Sequence, residues 1–222
     1  MKKRKQNVFF TVLFITLINI SCFGQAPTKT AISNGNWNTP GIWTPSGVPT
    51  PTDNVLIPNG RAVRIRSANA ACNSLTVGAG TAATLQFRGN TARTLTVTNN
   101  ITINANAAFD IRISSNITHT LIVRGDIINN GKLDFAVDNN SFCNTVFSKN
   151  GNQTVSGTGA TTRFNKIIVN LGTVITNTLE FTTSNFAATN GFLTITNGTF
   201  KLSSLNATTV NGFSVAATIP AT

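Results

Sequence analysis

Acidic residues are scarce in this chain: six Asp and Glu stand against 17 Lys and Arg in 222 residues. There is no tyrosine, one histidine and one methionine, and there are three cysteines. Each shortage excludes a kind of chemistry. A metal centre needs three or four convergent ligands, and His119 with distant cysteines supplies no such spacing, so no metal and no cofactor is expected. The G-x-S-x-G signature of a serine hydrolase is missing, as is the glycine spacing of a phosphate loop. The carboxylates are Asp53, Asp110, Asp126, Asp134, Asp138 and Glu180. Of these only Asp126, Asp134 and Asp138 lie close together, without the D-x-D or adjacent pair that a polysaccharide lyase or hydrolase would use. Asp53 in "PTDN" has the place of a turn former. An enzyme is not expected.

The basic excess is partly an address. "MKKRKQNVFFTVLFITLINISCFGQ" opens with Lys2, Lys3, Arg4 and Lys5, continues with an apolar run from Val8 to Ile20, and places Cys22 and Gly24 before Gln25. That is the pattern of a secretory signal peptide over residues 1–24. Cys22 is alternatively an acylation site, with Ile20 and Ser21 in favour and Asn19 against. Loss of the signal leaves thirteen basic residues against six acidic, a net charge of +7. No Lys/Arg run survives, so a nucleic-acid partner is not expected. Nor is any later apolar stretch long enough to span a membrane. The protein is expected to be secreted or held at the outer cell surface.

Cys72 and Cys143 remain after export, where one disulfide is possible; they serve equally well as small buried hydrophobes.

What the chain has in plenty is short β-branched segments: "CNSLTV", "ATLQF", "RTLTV", "HTLIV", "NKIIV" and others, alternating apolar with polar and bounded by Gly, Asn or Asp. Helical apolar spacing is rare. One motif recurs, as "SLTV" at 74–77, "TLTV" at 94–97, "TLIV" at 120–123, "KIIV" at 166–169 and "FLTI" at 192–195, with "NTVF" at 144–147 as a poorer member. A companion column runs through Phe87, Phe109, Phe135, Phe181 and Phe200. Steps of about 20–26 residues suit one coil of a solenoid, because a lone coil cannot bury its apolar face and stacked coils can. The expected fold is all-β, a right-handed parallel β-helix, with Asn-rich turns such as "TNN" and "NGN" stacking as amide ladders. Strand alternation puts His119 on the outside with Thr118 and Thr120.

Residues 25–58 differ from the rest. They carry both tryptophans, Trp37 and Trp43, and Pro40, Pro45, Pro49, Pro51 and Pro58. A solenoid ends in an open strand edge that must be covered, so this stretch is expected to be an N-terminal cap, with the coils occupying 59–222. The alternative role for the two rings is a sugar-stacking platform.

The stretch from Gly35 to about Gly131, with "GVPTPTDNVLIPNGRAVRI" at 47–65 and "CNSLTV" at 72–77, resembles the eight-glycine domain of secreted and cell-surface proteins. The wider chain resembles the repetitive β-helical regions of large exported surface proteins of Gram-negative bacteria, in units such as "GNQTVSGTGATTRFNKIIVNLGTVITNTLEF" at 151–181. These resemblances imply extracellular placement and adhesion or polysaccharide contact. Such proteins often end in a sorting domain; this sequence stops at "SVAATIPAT", which suggests a continuing chain or an edge that pairs with another copy.

Alternation in "RAVRIRS" puts Val63 and Ile65 inside and Arg64 and Arg66 outside. With Arg88, Arg112 and Arg124 they form a candidate basic stripe for sulfated or uronic polymers. The expected function is that of a non-enzymatic surface module touching acidic polysaccharide. The competitors are the leading part of a carbohydrate-active enzyme and a purely structural stalk.

Overall fold

The computed structural model describes residues 28–112, 116–183, 185–203 and 217–221. The expected signal segment and Cys22 lie outside them. The chain is an all-β solenoid of about seven turns built from parallel sheets. The helical element among the described residues is a single 3-10 turn, Pro40–Ile42.

Each coil lays one strand in each of three sheets, which hold ten, seven and six strands. One coil shows the pattern: Ser74–Val77 in the first sheet, Ala83–Phe87 in the second, Thr94–Val97 in the third. Successive side chains of a strand point to opposite faces, and burial alternates accordingly. Inward residues then stack in columns, as Val55, Leu75, Ile101, Ile127, Val155, Phe181 and Leu202 do in the first sheet. All but Val55 and Leu75 in that column have no exposed surface at all. Coil length is not constant. The first sheet advances 20 residues from Val55 to Leu75 and 28 from Ile127 to Val155, the difference being taken up in turns.

The interior carries an aromatic spine. Phe87 meets Phe109 at 5.8 Å between ring centroids, Phe109 meets Phe135 at 5.0 Å, and Phe135 meets Phe164 at 6.1 Å. Phe164 then meets Phe181 at 5.6 Å, and Phe181 meets Phe200 at 5.4 Å. The expected phenylalanine column is thus a run of touching rings with Phe164 added. It is not one register row, because Phe181 and Phe200 belong to the first sheet while Phe87 and Phe109 belong to the second. The motif column needs a similar correction. Residues 94–97, 120–123, 144–147, 166–169 and 192–195 fall in or beside strands of the third sheet, and "NTVF" is a full member. "SLTV" at 74–77 is a first-sheet strand. Any inward-facing strand satisfies that pattern, so likeness of motif does not identify a sheet.

Close stacking leaves no room for side chains at some turns. A Cβ at Gly125 would run into the backbone of Asn99 one coil earlier. Gly157 combines φ of +112° with the same problem against Asn129, a geometry open only to glycine. Some buried polar groups find partners across coils. Asn129 donates to Thr161 O at 2.7 Å and to Thr162 Oγ1 at 2.8 Å, and accepts from Gly131 N. On the corner, Asn73 donates to Asn54 Oδ1 at 2.8 Å and Asn99 to Asn73 Oδ1 at 3.0 Å, an amide ladder across three coils.

The N-terminal cap is partly a continuation of the solenoid. Thr28–Ala31 pairs in parallel with Asn54–Ile57, and Gly35–Asn36 with Ala62–Ile65. Asn54–Ile57 is itself the first-sheet strand of the first full coil, which corrects the expected boundary at residue 58. The prolines sit between these short strands and do not prevent them. Trp43–Thr44 then pairs antiparallel with Thr28–Ala31 and forms the outer edge of the first sheet. At the other end Ala217–Pro220 pairs antiparallel with Thr199–Leu202 and closes the opposite edge of the same sheet.

Candidate functional site

The outward face of the second sheet carries a concentration of charge. Its middle row is set by strand register: Asn36, Arg64, Gln86, Asp110, Asp134, Arg163, Ala187. From Asp110 onward the row neutralises itself. Gln86 Nε2 donates to Asp110 Oδ1 at 3.0 Å, and Lys132 Nζ lies 3.3 Å from Asp110 and 3.7 Å from Asp134. Arg163 grips Asp134 with two bonds, Nε to Oδ1 at 2.7 Å and Nη2 to Oδ2 at 2.9 Å. Asp134 is 5% exposed, so this fork is held in a site partly withdrawn from water.

Two residues further along each strand lies a second row. Ile65, Phe87 and Ile111 are in register and point inward. The residues that follow them, Arg66, Arg88 and Arg112, therefore stack coil upon coil on the outside. Their backbones keep the ladder going, Arg88 N donating to Ile65 O at 2.9 Å and Arg112 N to Phe87 O at 2.9 Å. Arg66 and Arg112 are exposed and Arg88 is half-buried. None of them pairs with a carboxylate among the described residues. Like charges side by side on neighbouring strands destabilise a sheet. Arg66, Arg88 and Arg112 are brought to neighbouring coils by backbone register, without a carboxylate partner among the described residues.

The five arginines singled out by sequence thus divide. Arg66, Arg88 and Arg112 form the row, and Arg64 flanks it on the same face. Arg124 does not join them. It follows Val123 at the end of a third-sheet strand, in register with Thr98 and Ser148. Lys132 and Arg163 share the face and escaped notice in the sequence, and Asp110 and Asp134 figured there only as carboxylates, because their neighbourhood depends on coil register. Shallow cavities flank the charged part. One of about 500 Å³ is lined by Asn106, Gly131, Lys132 and Thr158, and one of about 360 Å³ by Val137, Phe142, Arg163 and Thr189.

The remaining candidates are structural. Trp37 and Trp43 are each 1% exposed. Their rings meet edge to face at 5.2 Å, and Trp43 Nε1 donates to Trp37 O at 2.8 Å. They are core of the cap and present no sugar platform. Cys72 and Cys143 are separate buried thiols, so of the two roles left open by the sequence they take that of small buried hydrophobes and not of a bridge. Two third-sheet strands, Thr94–Val97 and Thr118–Val123, lie between theirs. Three strand spacings amount to roughly 14 Å, about twice what a disulfide spans. His119 is also reversed: it points inward with Leu121 and Val123 and has no exposed surface. Among the described residues no group of three His, Cys, Asp or Glu is placed to hold a metal ion.

Residues 28–214 match the family described as a domain of unknown function, DUF8693. The chain belongs to that family. No curated protein and no solved structure matches it. On the second-sheet face of this DUF8693 solenoid the arginine row and the self-neutralised Asp110–Asp134 segment lie two residues apart along the strands.

Proposed function

We propose that the protein is an exported, non-enzymatic module of the cell surface or extracellular space that contacts acidic polysaccharide through the second sheet. The observation that carries this is the in-register row of Arg66, Arg88 and Arg112 without carboxylate partners among the described residues. A rigid sheet fixes the backbone positions of the three arginines, so binding an extended anion has side chains and not strands to order. The signal-like N-terminus and the resemblance of residues 35–131 to the eight-glycine domain are in keeping with an extracellular setting.

The test is retention of the whole protein on immobilised acidic polysaccharide. Replacing Arg66, Arg88 and Arg112 together with Gln is expected to abolish retention, while Arg124→Gln, away from the row, is expected to leave most of it. Retention that survives the triple replacement would overturn the assignment of the face.

A further inference from the structure

We infer that the cleft at the corner joining the second sheet to the third, around residues 136–142, is a subsite for one neutral pyranose ring. This rests on the polysaccharide reading above for the class of ligand, and not on the arginine row for its geometry.

The cleft lies where the chain leaves Lys132–Asp134 of the second sheet for Phe142–Phe147 of the third, and its volume is about 360 Å³. That is the small end of the range for ligand pockets, roughly 300–1,000 Å³, and suits a single ring. Val137, Phe142 and Ala188 supply its apolar lining. Phe142 stands apart from the other phenylalanines. Nine among the described residues are buried in the core, whereas Phe142 faces outward on its strand, beside the buried Cys143, and is half-buried. It lies outside the aromatic spine. An aromatic ring partly open to water, with polar groups around it, is a surface on which the C–H face of a sugar packs.

The polar lining is fixed in advance. Arg163 spends Nε and Nη2 on Asp134, which leaves its Nη1 without a partner among the described residues. A guanidinium clamped along one edge needs little further ordering to donate from the other. The turn is clamped as well: Asp138 Oδ1 accepts the N–H of Asn140 at 2.9 Å and that of Ser141 at 2.6 Å. The exposed amide of Asn139 is carried on that turn and lines the cleft.

The same bonds decide the charge of the ligand. Arg163 is already paired with Asp134, and Asp138 adds a second carboxylate to the surroundings. Among the described lining residues no unpaired cation remains for an anionic group, so a hydroxylated neutral ring suits the cleft and a uronate does not. Counted from the paired Asp110 and Asp134, Ala136 takes the place that Arg112 holds one coil earlier, so the cleft opens where the arginine row ends.

The experiment is saturation-transfer NMR on the full chain with the methyl glycosides of glucose, galactose, mannose, rhamnose, fucose and N-acetylglucosamine. Methyl galacturonoside and 2-phenylethanol serve as contrasts. At least one neutral glycoside is expected to bind in the millimolar range and to take up saturation through the C–H groups of one ring face. Phe142→Ala is expected to weaken that binding on the order of tenfold, and Phe142→Leu, which keeps apolar bulk without the flat ring, nearly as much. Asn139→Ala is expected to weaken it severalfold and Arg124→Gln to leave it in place. Thermal melts of the variants confirm that they are folded. Absence of binding by every neutral glycoside, or binding unchanged in Phe142→Ala, would overturn the subsite. Retention on acidic polysaccharide, measured alongside, then shows whether the polysaccharide reading falls with it. Galacturonoside binding as tight as that of the best neutral glycoside would overturn the neutral ligand. Tighter binding of 2-phenylethanol than of any sugar would replace the pyranose with an apolar ligand.

Discussion

The imidazole of His119 lies flat against the ring of Phe87 inside the solenoid, the ring centroids 4.8 Å apart and the planes 14° from parallel. Its Nδ1 accepts the backbone N–H of Arg93 at 3.1 Å, and its register partner on the next coil is Cys143. Burial, with the Arg93 charge adding to it, pushes the imidazole pKa from 6.5 down to about 4.

A pH dependence follows from that shift. The folded protein holds His119 neutral, whereas the unfolded chain takes up a proton once the pH falls below about 6.5. Stability from this group is therefore complete above pH 6.5 and is lost progressively down to about pH 4, by up to about 3 kcal/mol. Urea melts at pH 7.5 and pH 4.5 should differ by less in His119→Leu than in the parent chain. An equal difference would mean that the histidine is not buried as described.

The two thiols should be silent in the native state. Burial raises the pKa of both, with the charge of Asp53 adding to the effect at Cys72. Little thiolate is then present, and access is closed. Maleimide at pH 8 is expected to label neither Cys72 nor Cys143 until guanidinium unfolds the chain, and then to label both without prior reduction. Labelling that requires reduction would restore the bridge.

Acrylamide should quench tryptophan fluorescence weakly, because Trp37 and Trp43 are both core residues. Trp43→Phe keeps most of the packing but loses the bond to Trp37 O, at a cost of about 1 kcal/mol or somewhat more. Strong quenching in the parent chain would put the rings at the surface and revive the sugar-platform role.

Phe164 is the hinge of the aromatic spine. Its ring lies within 6.2 Å of those of Phe135, Phe147, Phe181 and Phe186. Phe164→Ala is expected to destabilise the protein by about 3–5 kcal/mol, a cavity effect, and Phe164→Leu by clearly less. A loss below 1 kcal/mol for alanine, by chemical denaturation, would contradict the packing.

Much of the fold was legible along the chain because a strand's two faces are written in its alternation. Val63 and Ile65 are read correctly as inward from period two alone, and Leu85, Phe87, Leu95 and Val97 obey the same alternation. The same rule would have placed His119 correctly, since it shares parity with Leu121 and Val123; the flanking threonines drew it outward instead. Residues 25–58 stood apart by their tryptophans and prolines. Their short strands did not, since two-residue pieces such as Gly35–Asn36 exist only through pairing with the next coil.

The candidate face marks the boundary between local and tertiary information. Sequence by itself determined that coils form, that the apolar members of each alternating strand enter the core, and that arginines at strand ends point outward. It could not say that Arg66, Arg88 and Arg112 share a row while Arg124 stands apart, nor that Asp110 meets Lys132 and Asp134 meets Arg163. Those relations depend on how many residues each turn absorbs between sheets. Turn length is free to vary while inward alternation is not, because a turn faces water and a strand faces the core. Only stacking, which matches hydrogen bonds coil to coil, decides which residues become neighbours.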